Sequence, residues 1–496
     1  MTPQPDAAPS RLPDFMTPPF PARPDPAGLG RVHFVGMGGT GMSAVADLLL
    51  DRGLAVSGSD AKDGAALEVL RRKGAAVYVP QDARNVEGAD TVVVSTAIRE
   101  DNPELAAARA AGLRVLHRSD ALAAAMGANR TIAVAGTHGK TTTSSMIAVM
   151  LDGVGARPSF AVGATIATLG TNAALGEPGE DGWFVAEADE SDGSFVKYRP
   201  AVAVVTNVEA DHLDFYGSAE AVAEAFERFA QSLAPGGVLV ACQDDPGSRA
   251  LAERRRAEGA QTLTYGTDAD ADVRISDVSS DGTTSSAALS WSFRLAGREL
   301  QGRCLLRLSV PGVHNQRNAA AGVACALIAG VDPERAAEAL GTYTGAARRF
   351  EFRGEAAGVQ VFDDYAHHPT EVAAALQAAR TVAAGHNVYA LFQPHLFSRT
   401  REFSHAFAEA LSLADRAFVV DIFPAREEPI EGVTSRLITE AGFSEVRFAS
   451  SAHDAAARIA SLAAPGDVVM TIGAGDVTEY GAVLLAALGE AGGDRR

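Results

Sequence analysis

The 496-residue chain is 47% hydrophobic and 21% charged, ordinary globular proportions, and is long enough for about three domains at roughly 150 residues each. Its 43 Lys and Arg against 62 Asp and Glu leave a formal charge of −19. That balance argues against nucleic acid or an anionic membrane as partner, because both need a cationic surface. Cys242, Cys304 and Cys325 are far apart and form neither a disulfide framework nor a zinc-binding CxxC pair, so they read as reduced thiols.

Residues 1–30 hold nine of the 23 prolines. Proline fixes φ and removes a donor, so this stretch is expected to be a disordered tail outside helix and sheet. It lacks the apolar core of a secretory signal, and no run of about twenty apolar residues follows. A soluble cytoplasmic protein with no membrane insertion is expected.

From Arg31 onward, short β-branched runs alternate with alanine-rich helical stretches. Val32–Val35 reads as a strand, Ser43–Asp51 as a helix, and Ala55–Gly58 and Thr91–Val94 as further strands. That alternation predicts βαβ units and a mostly parallel sheet. It restarts at Thr131–Ala135 and continues through Trp183–Ala186, Ala201–Thr206 and Val238–Ala241. A third set follows at Val359–Phe362, Val388–Phe392, Ala417–Asp421 and Asp467–Ile472. Between them, Asp272–Val310 alternates polar and apolar residues around Asp281-Gly282 and Ala296-Gly297, which predicts a small antiparallel insert. The expected fold is α/β: a Rossmann-like N-terminal module over 31–126, a central P-loop-type module over 127–346 carrying the insert, and a Rossmann-like C-terminal module over 347–496.

Two glycine turns carry the chemistry. Gly36-Met37-Gly38-Gly39-Thr40-Gly41 matches G-x-G-x-x-G between a strand and a helix, where backbone N–H groups and the helix dipole receive a diphosphate. Asp60 ends the next strand, near the spacing of a ribose-binding acid. Alone, the motif suits any nucleotide diphosphate, a nicotinamide dinucleotide included. Gly136-Thr137-His138-Gly139-Lys140-Thr141-Thr142-Thr143 is a shorter relative of the Walker A loop. Its backbone would cradle a triphosphate, Lys140 would neutralise the β/γ charge, and Thr141 would offer a hydroxyl to Mg²⁺. A triphosphate loop beside a separate diphosphate turn argues against a plain dehydrogenase. The acidic run Glu187–Ser194 follows a strand of the same sheet, where carboxylate oxygens suit a hard cation. The next strand ends in Thr206–Asp214, which offers His212 to a second metal or to the incoming nucleophile.

Taken together, GMGGTGMS (Gly36–Ser43), GTHGKTTT (Gly136–Thr143), EADESDGSF (Glu187–Phe195), TNVEADHLDFYG (Thr206–Gly217), HNQRNA (His314–Ala319), DDYAHHPTE (Asp363–Glu371), FQPHLFSRT (Phe392–Thr400) and DIFPAREEP (Asp421–Pro429) resemble the Mur ligase family, the ATP-dependent ligases of peptidoglycan precursor synthesis. The resemblance runs from about Arg31 to Gly475. It implies that the first module binds the UDP end of a sugar nucleotide through Gly36, Gly38, Gly39, Thr40 and Gly41, with Asp60, Ser95 and Thr96. It implies ATP on Gly136, Thr137, His138, Gly139, Lys140, Thr141 and Thr142, with His314, Asn315, Asn318, Arg349 and Asp364. Mg²⁺ would be held by Thr141 and Glu187, and a second ion by His212. Lys140, Glu187, His212 and Arg399 are the implied catalytic residues. Tyr365, His367, His395 and Arg426 are implied on the amino-acid side, with His368 in the same loop.

Relatives that bridge two metals with a carbamylated lysine carry it after this histidine, but Phe226–Gln231 contains none. That absence favours the branch that adds L-alanine to the lactyl carboxylate of UDP-N-acetylmuramate through an acyl phosphate. The alternative in the same family is a recycling ligase that attaches a whole tripeptide. Oligomeric state, monomer or dimer, stays open.

Overall fold

A computed structural model describes residues 12–425 and 427–494. Its strands fall into three sheets. The first takes β1 (Val32–Val35), β2 (Val56–Ser59), β3 (Ala76–Tyr78), β4 (Thr91–Val94) and β5 (Arg114–His117) in the order β3-β2-β1-β4-β5, every pairing parallel. The strand β1 is buried along its whole length, as a strand covered on both faces must be, which suits Val32, Phe34 and Val35; its one polar residue, His33, faces Ser57 at 2.9 Å and Glu104 at 3.4 Å. The strand order reverses between β1 and β4, so the crevice for a ligand opens at their carboxyl ends, where Gly36 and Ser95 lie.

The second sheet takes β6 (Arg130–Ala135), β7 (Ser159–Ile166), β8 (Thr171–Ala174), β9 (Trp183–Glu187), β10 (Val202–Val205), β11 (Val238–Cys242), β12 (Thr262–Gly266), β13 (Val273–Asp281), β14 (Thr284–Leu295) and β15 (Arg298–Leu308). Their order is β15-β14-β13-β12-β11-β10-β6-β9-β7-β8. The pairings from β13 to β9 and on to β7 are parallel, and β7 pairs with β8 antiparallel. The two-residue links β13–β14 and β14–β15 are too short for a parallel crossover, so the expected antiparallel insert is a three-stranded meander. The third sheet takes β16 (Glu351–Ala356), β17 (Val359–Asp364), β18 (Val388–Phe392), β19 (Arg416–Val419), β20 (Val446–Phe448) and β21 (Val468–Ile472) in the order β16-β17-β21-β18-β19-β20. Only β16 runs antiparallel, against β17.

Three sheets do not make three separate bodies. The chain divides into two compact units: Met1–Ser276 with Ala288–Leu306 and Arg317–Leu340, and Asp277–Ala287 with Arg307–Gln316 and Gly341–Arg496. The first sheet and most of the second share one unit, with a common apolar core and polar side-chain links between them. Arg118 pairs with Asp189 at 3.1 Å, Lys197 with Asp120 at 2.9 Å, and His117 with Asp192 at 3.4 Å.

Residues 12–30 depart from the expected disordered tail, while residues 1–11 lie outside the described residues. Met16 and Leu29 are buried. Arg23 donates to the Asn129 carbonyl at 3.2 Å, the Thr131 hydroxyl at 3.0 Å and the Arg199 carbonyl at 3.2 Å. Proline keeps this stretch out of α-helix and ladder, leaving two short 3-10 turns, Asp14–Met16 and Pro26–Leu29, but it does not prevent packing through the apolar and cationic side chains between the prolines. Among the described residues, no helix is long and apolar enough to cross a membrane.

Candidate active site

The first glycine turn joins β1 to the helix Thr40–Asp51. Gly36 sits at φ 76°, and Ile98, in the turn after β4, lies where a side chain at this position would go. Asp60 comes to the same place, its carboxylate accepting from the Gly38 N–H at 2.8 Å. Ser95 closes the turn after β4 by accepting from the Ile98 N–H at 3.0 Å. Sheet order thus gathers Gly36–Gly41, Asp60, Ser95 and Thr96 at one edge.

The second site is built by three adjacent strands. β6 lies between β10 and β9, with Val134 opposite Glu187 and Ala135 opposite Val205. The loops leaving their carboxyl ends therefore converge: Gly136–Gly139 after β6, the acidic run after β9, and Thr206–Asp214 after β10. Asn207 shapes the loop Gly136–Gly139, its side chain accepting from the His138 N–H at 2.8 Å and donating to the His138 carbonyl at 3.1 Å. Gly139 is left-handed at φ 81°, and a side chain there would meet Asn318 of the helix Val313–Ala329.

Lys140 opens the helix Lys140–Gly153. Its ammonium donates to the carbonyls of Gly136 (2.7 Å) and Thr137 (3.1 Å) and to Glu190 (2.9 Å). Burial works against the Lys140 charge, but Glu190, Asp189 and Glu187 outweigh it and hold the ammonium above its ordinary range. Burial also lifts the Glu190 carboxyl above the usual carboxylate range, against the pull of Lys140. Asp189 next door behaves oppositely. Burial would raise it, yet Arg118 and Lys140 bring it down to about 2, so it stays a charged anchor for Arg118.

The Thr141 hydroxyl lies 3.1 Å from Glu187 Oε1, while Glu187 Oε2 accepts from the Gly163 N–H at 2.6 Å. Neighbouring ligands of an octahedral Mg²⁺, bound at about 2.1 Å, stand about 3 Å apart. These two oxygens therefore fit one edge of such an ion's coordination shell. His212 is left-handed at φ 53°, and its Nε2 stands 3.7 Å from both Glu190 and Asp211. Arg118, Asn207 and Glu190 carry none of the roles that the family motifs imply. Only the acidic spelling of EADESDGSF hinted at Glu190.

His314 and Asn315 lie in the first turn of the helix Val313–Ala329, and Asn315 donates to the Pro311 carbonyl at 2.7 Å. In the second unit, Asp364 ends β17 and accepts from the N–H groups of Phe350 and Ala366, both at 2.8 Å. Arg348 and Arg349 stack on the Tyr365 ring at 4.8 and 5.1 Å from its centroid. His367 Nδ1 faces the Tyr365 carbonyl at 3.1 Å, and its ring lies 6.1 Å from that of His395. His395 in turn stacks on Phe423. Arg399 is buried in the first turn of the helix Phe397–Leu411. Tyr365, His367 and His395 thus come together. Arg426 lies outside the described residues.

Burial pushes the Asp364 carboxyl from 3.8 up to about 6, against the pull of Arg349 and its two N–H donors. Between those values the folded chain keeps a proton that the unfolded chain has released. Stability therefore falls as pH rises from about 4 to about 6, by up to about 3 kcal/mol, and stays lower above that range. Asp364→Asn should flatten this part of the profile of thermal midpoint against pH. An unchanged slope in the variant would assign the effect to another group.

Comparison with known proteins agrees with this architecture. Family models described as "Mur ligase family, catalytic domain", "Mur ligase middle domain" and "Mur ligase, glutamate ligase domain" match residues 31–130, 134–326 and 348–475. The chain is 56% identical to a UDP-N-acetylmuramate–L-alanine ligase of Renibacterium salmoninarum, over 93% of this chain and 96% of the relative. It is 57% identical to the ligase of the same name from Paenarthrobacter aurescens, over 93% and 98%. The crystal structure of UDP-N-acetylmuramate–alanine ligase from Thermotoga maritima superposes with a TM-score of 0.72 at 28% identity, covering 92% of this chain and 98% of that one. A murein peptide ligase from Psychrobacter arcticus superposes at 0.68 with 27% identity, covering 93% and 99%. Three successive family models over most of the chain, and relatives more than half identical across it, settle the grouping: the chain belongs to the Mur ligase family.

Proposed function

We propose that the chain joins L-alanine to the lactyl carboxylate of UDP-N-acetylmuramate, converting ATP to ADP and phosphate in the cytoplasm. The carrying observation is the 56–57% identity, over 93% of the chain, to ligases of that name. The reaction brings two anions together, so their repulsion must be offset before any bond forms. The carboxylate attacks the γ-phosphorus, and the bond to ADP breaks. The neutral amine of L-alanine then attacks the acyl carbon, loses a proton, and phosphate leaves.

Lys140 is proposed to grip the γ-phosphate. Bound Mg²⁺ would be held by Thr141 and Glu187 and would supply charge neutralisation there, with a second ion at His212. Gly36–Gly41, Asp60, Ser95 and Thr96 would take the UDP end. His314, Asn315, Asn318, Arg349 and Asp364 would flank the adenosine. Tyr365, His367, His395 and Arg426 would receive L-alanine, with Arg399 toward the transferring phosphoryl group.

Phosphate release from the purified chain with ATP and Mg²⁺, with product masses read in parallel, tests this. Turnover should require both UDP-N-acetylmuramate and L-alanine and yield a product heavier by one alanyl residue. Turnover with the tripeptide in place of L-alanine would instead assign the recycling reaction.

A further inference from the structure

Lys140 is already saturated. An ammonium has three N–H donors, and this one has three acceptors within 3.1 Å: the carbonyls of Gly136 and Thr137 and the carboxylate of Glu190. A phosphate oxygen cannot be added to that set without displacing a member. The two carbonyls belong to the phosphate loop itself and hold the ammonium at its mouth. Glu190 is the anionic member, and it comes from a different strand.

Glu190 is also fixed in place. Its side chain is 3% exposed, its backbone carbonyl accepts from the buried Tyr216 hydroxyl, and the Gly193 N–H closes on the same carbonyl at 3.0 Å. Its second carboxylate oxygen is buried without a hydrogen-bond partner. Such an oxygen is costly unless the other one is strongly held, and Lys140 is what holds it. Asp189 is occupied elsewhere, on Arg118 at 3.1 Å, so of these two adjacent acids only Glu190 donates its charge to the lysine by direct contact.

We infer that Glu190 is a positioning residue that stands in for the terminal phosphate on Lys140 in the empty site, and that arriving nucleotide must displace it. This rests on the reading of Lys140 as the γ-phosphate ligand. Glu190 pre-aims the ammonium at the cost of affinity, because carboxylate and phosphate compete for one cation. The sign of the expected effect therefore opposes that of ordinary damage to a site.

The test is equilibrium binding of the non-hydrolysable analogue AMPPNP with Mg²⁺ by calorimetry, across a double-mutant cycle. Glu190→Gln keeps the shape and removes the charge. It should tighten AMPPNP binding by at least about fivefold, the lower end of ordinary coupling between two linked equilibria. The same substitution in a Lys140→Ala background should tighten binding clearly less, since the contested cation is gone and only the acid's repulsion of the phosphates is relieved. UDP binding, read in the same preparations, reports that the fold is intact. Weaker or unchanged AMPPNP binding in Glu190→Gln with UDP binding intact overturns the inference alone, as does equal tightening in both backgrounds. Failure of the unaltered chain to bind AMPPNP overturns the ATP reading and this inference with it.

Discussion

Lys140→Ala is expected to lower ATP-dependent phosphate release by at least about 10³-fold, the scale on which a preorganised charge at a developing anion acts. Lys140 stands at the loop Gly136–Gly139, where it contacts two loop carbonyls directly. Its removal leaves Glu187, Asp189 and Glu190 without the ammonium that offsets them, so repulsion of the incoming triphosphate grows while transition-state stabilisation is lost. The loss should appear mainly in kcat/KM, with UDP binding in the first module unchanged. Turnover within tenfold of the unaltered chain would contradict the assignment of Lys140 to the phosphate.

Gly136→Ala should be nearly as damaging, for a steric reason. Gly136 adopts φ 141°, and an added Cβ would overlap the Thr206 hydroxyl and press on the Thr206 backbone nitrogen. Thr206 cannot give way, since it is buried and its hydroxyl donates to the His138 carbonyl at 2.5 Å. A strained backbone and an overpacked contact each cost about 1–3 kcal/mol, so a loss on the order of 3–5 kcal/mol in unfolding stability is expected. Nucleotide binding should fail with it. Gly489→Ala is the control, an exposed helical glycine with open space around its Cα, which should lose nothing in thermal midpoint. An unaltered midpoint and AMPPNP affinity in Gly136→Ala would show that the loop tolerates a side chain.

Much of this was legible in the chain because local physics suffices for it. A strand buried on both faces tends to read as an apolar run, as Val202–Val205 does. The turn from β6 into its helix needs glycine where φ is positive, which Gly139 supplies just before Lys140 opens the helix. The insert appeared through its period of two and its two-residue turns. The packing of residues 12–30 was hidden because proline content reports what backbone a segment refuses, not where its side chains bury. Asn207 escaped notice because an asparagine after a strand is common, and only the fold brings its amide onto His138.

What the sequence by itself determined is the succession of βαβ modules and the chemistry available at each loop, since period, turn residues and motif spacing act over a few residues. Only tertiary structure decided who meets whom. β6 lies between β9 and β10, and that order sets Thr141 beside Glu187 and Lys140 against Glu190, residues 46 and 50 positions apart. It also spends Asp189 on Arg118 of the neighbouring module. Pairing between distant charges depends on sheet order and burial, and neither can be read from the spacing of the residues that pair.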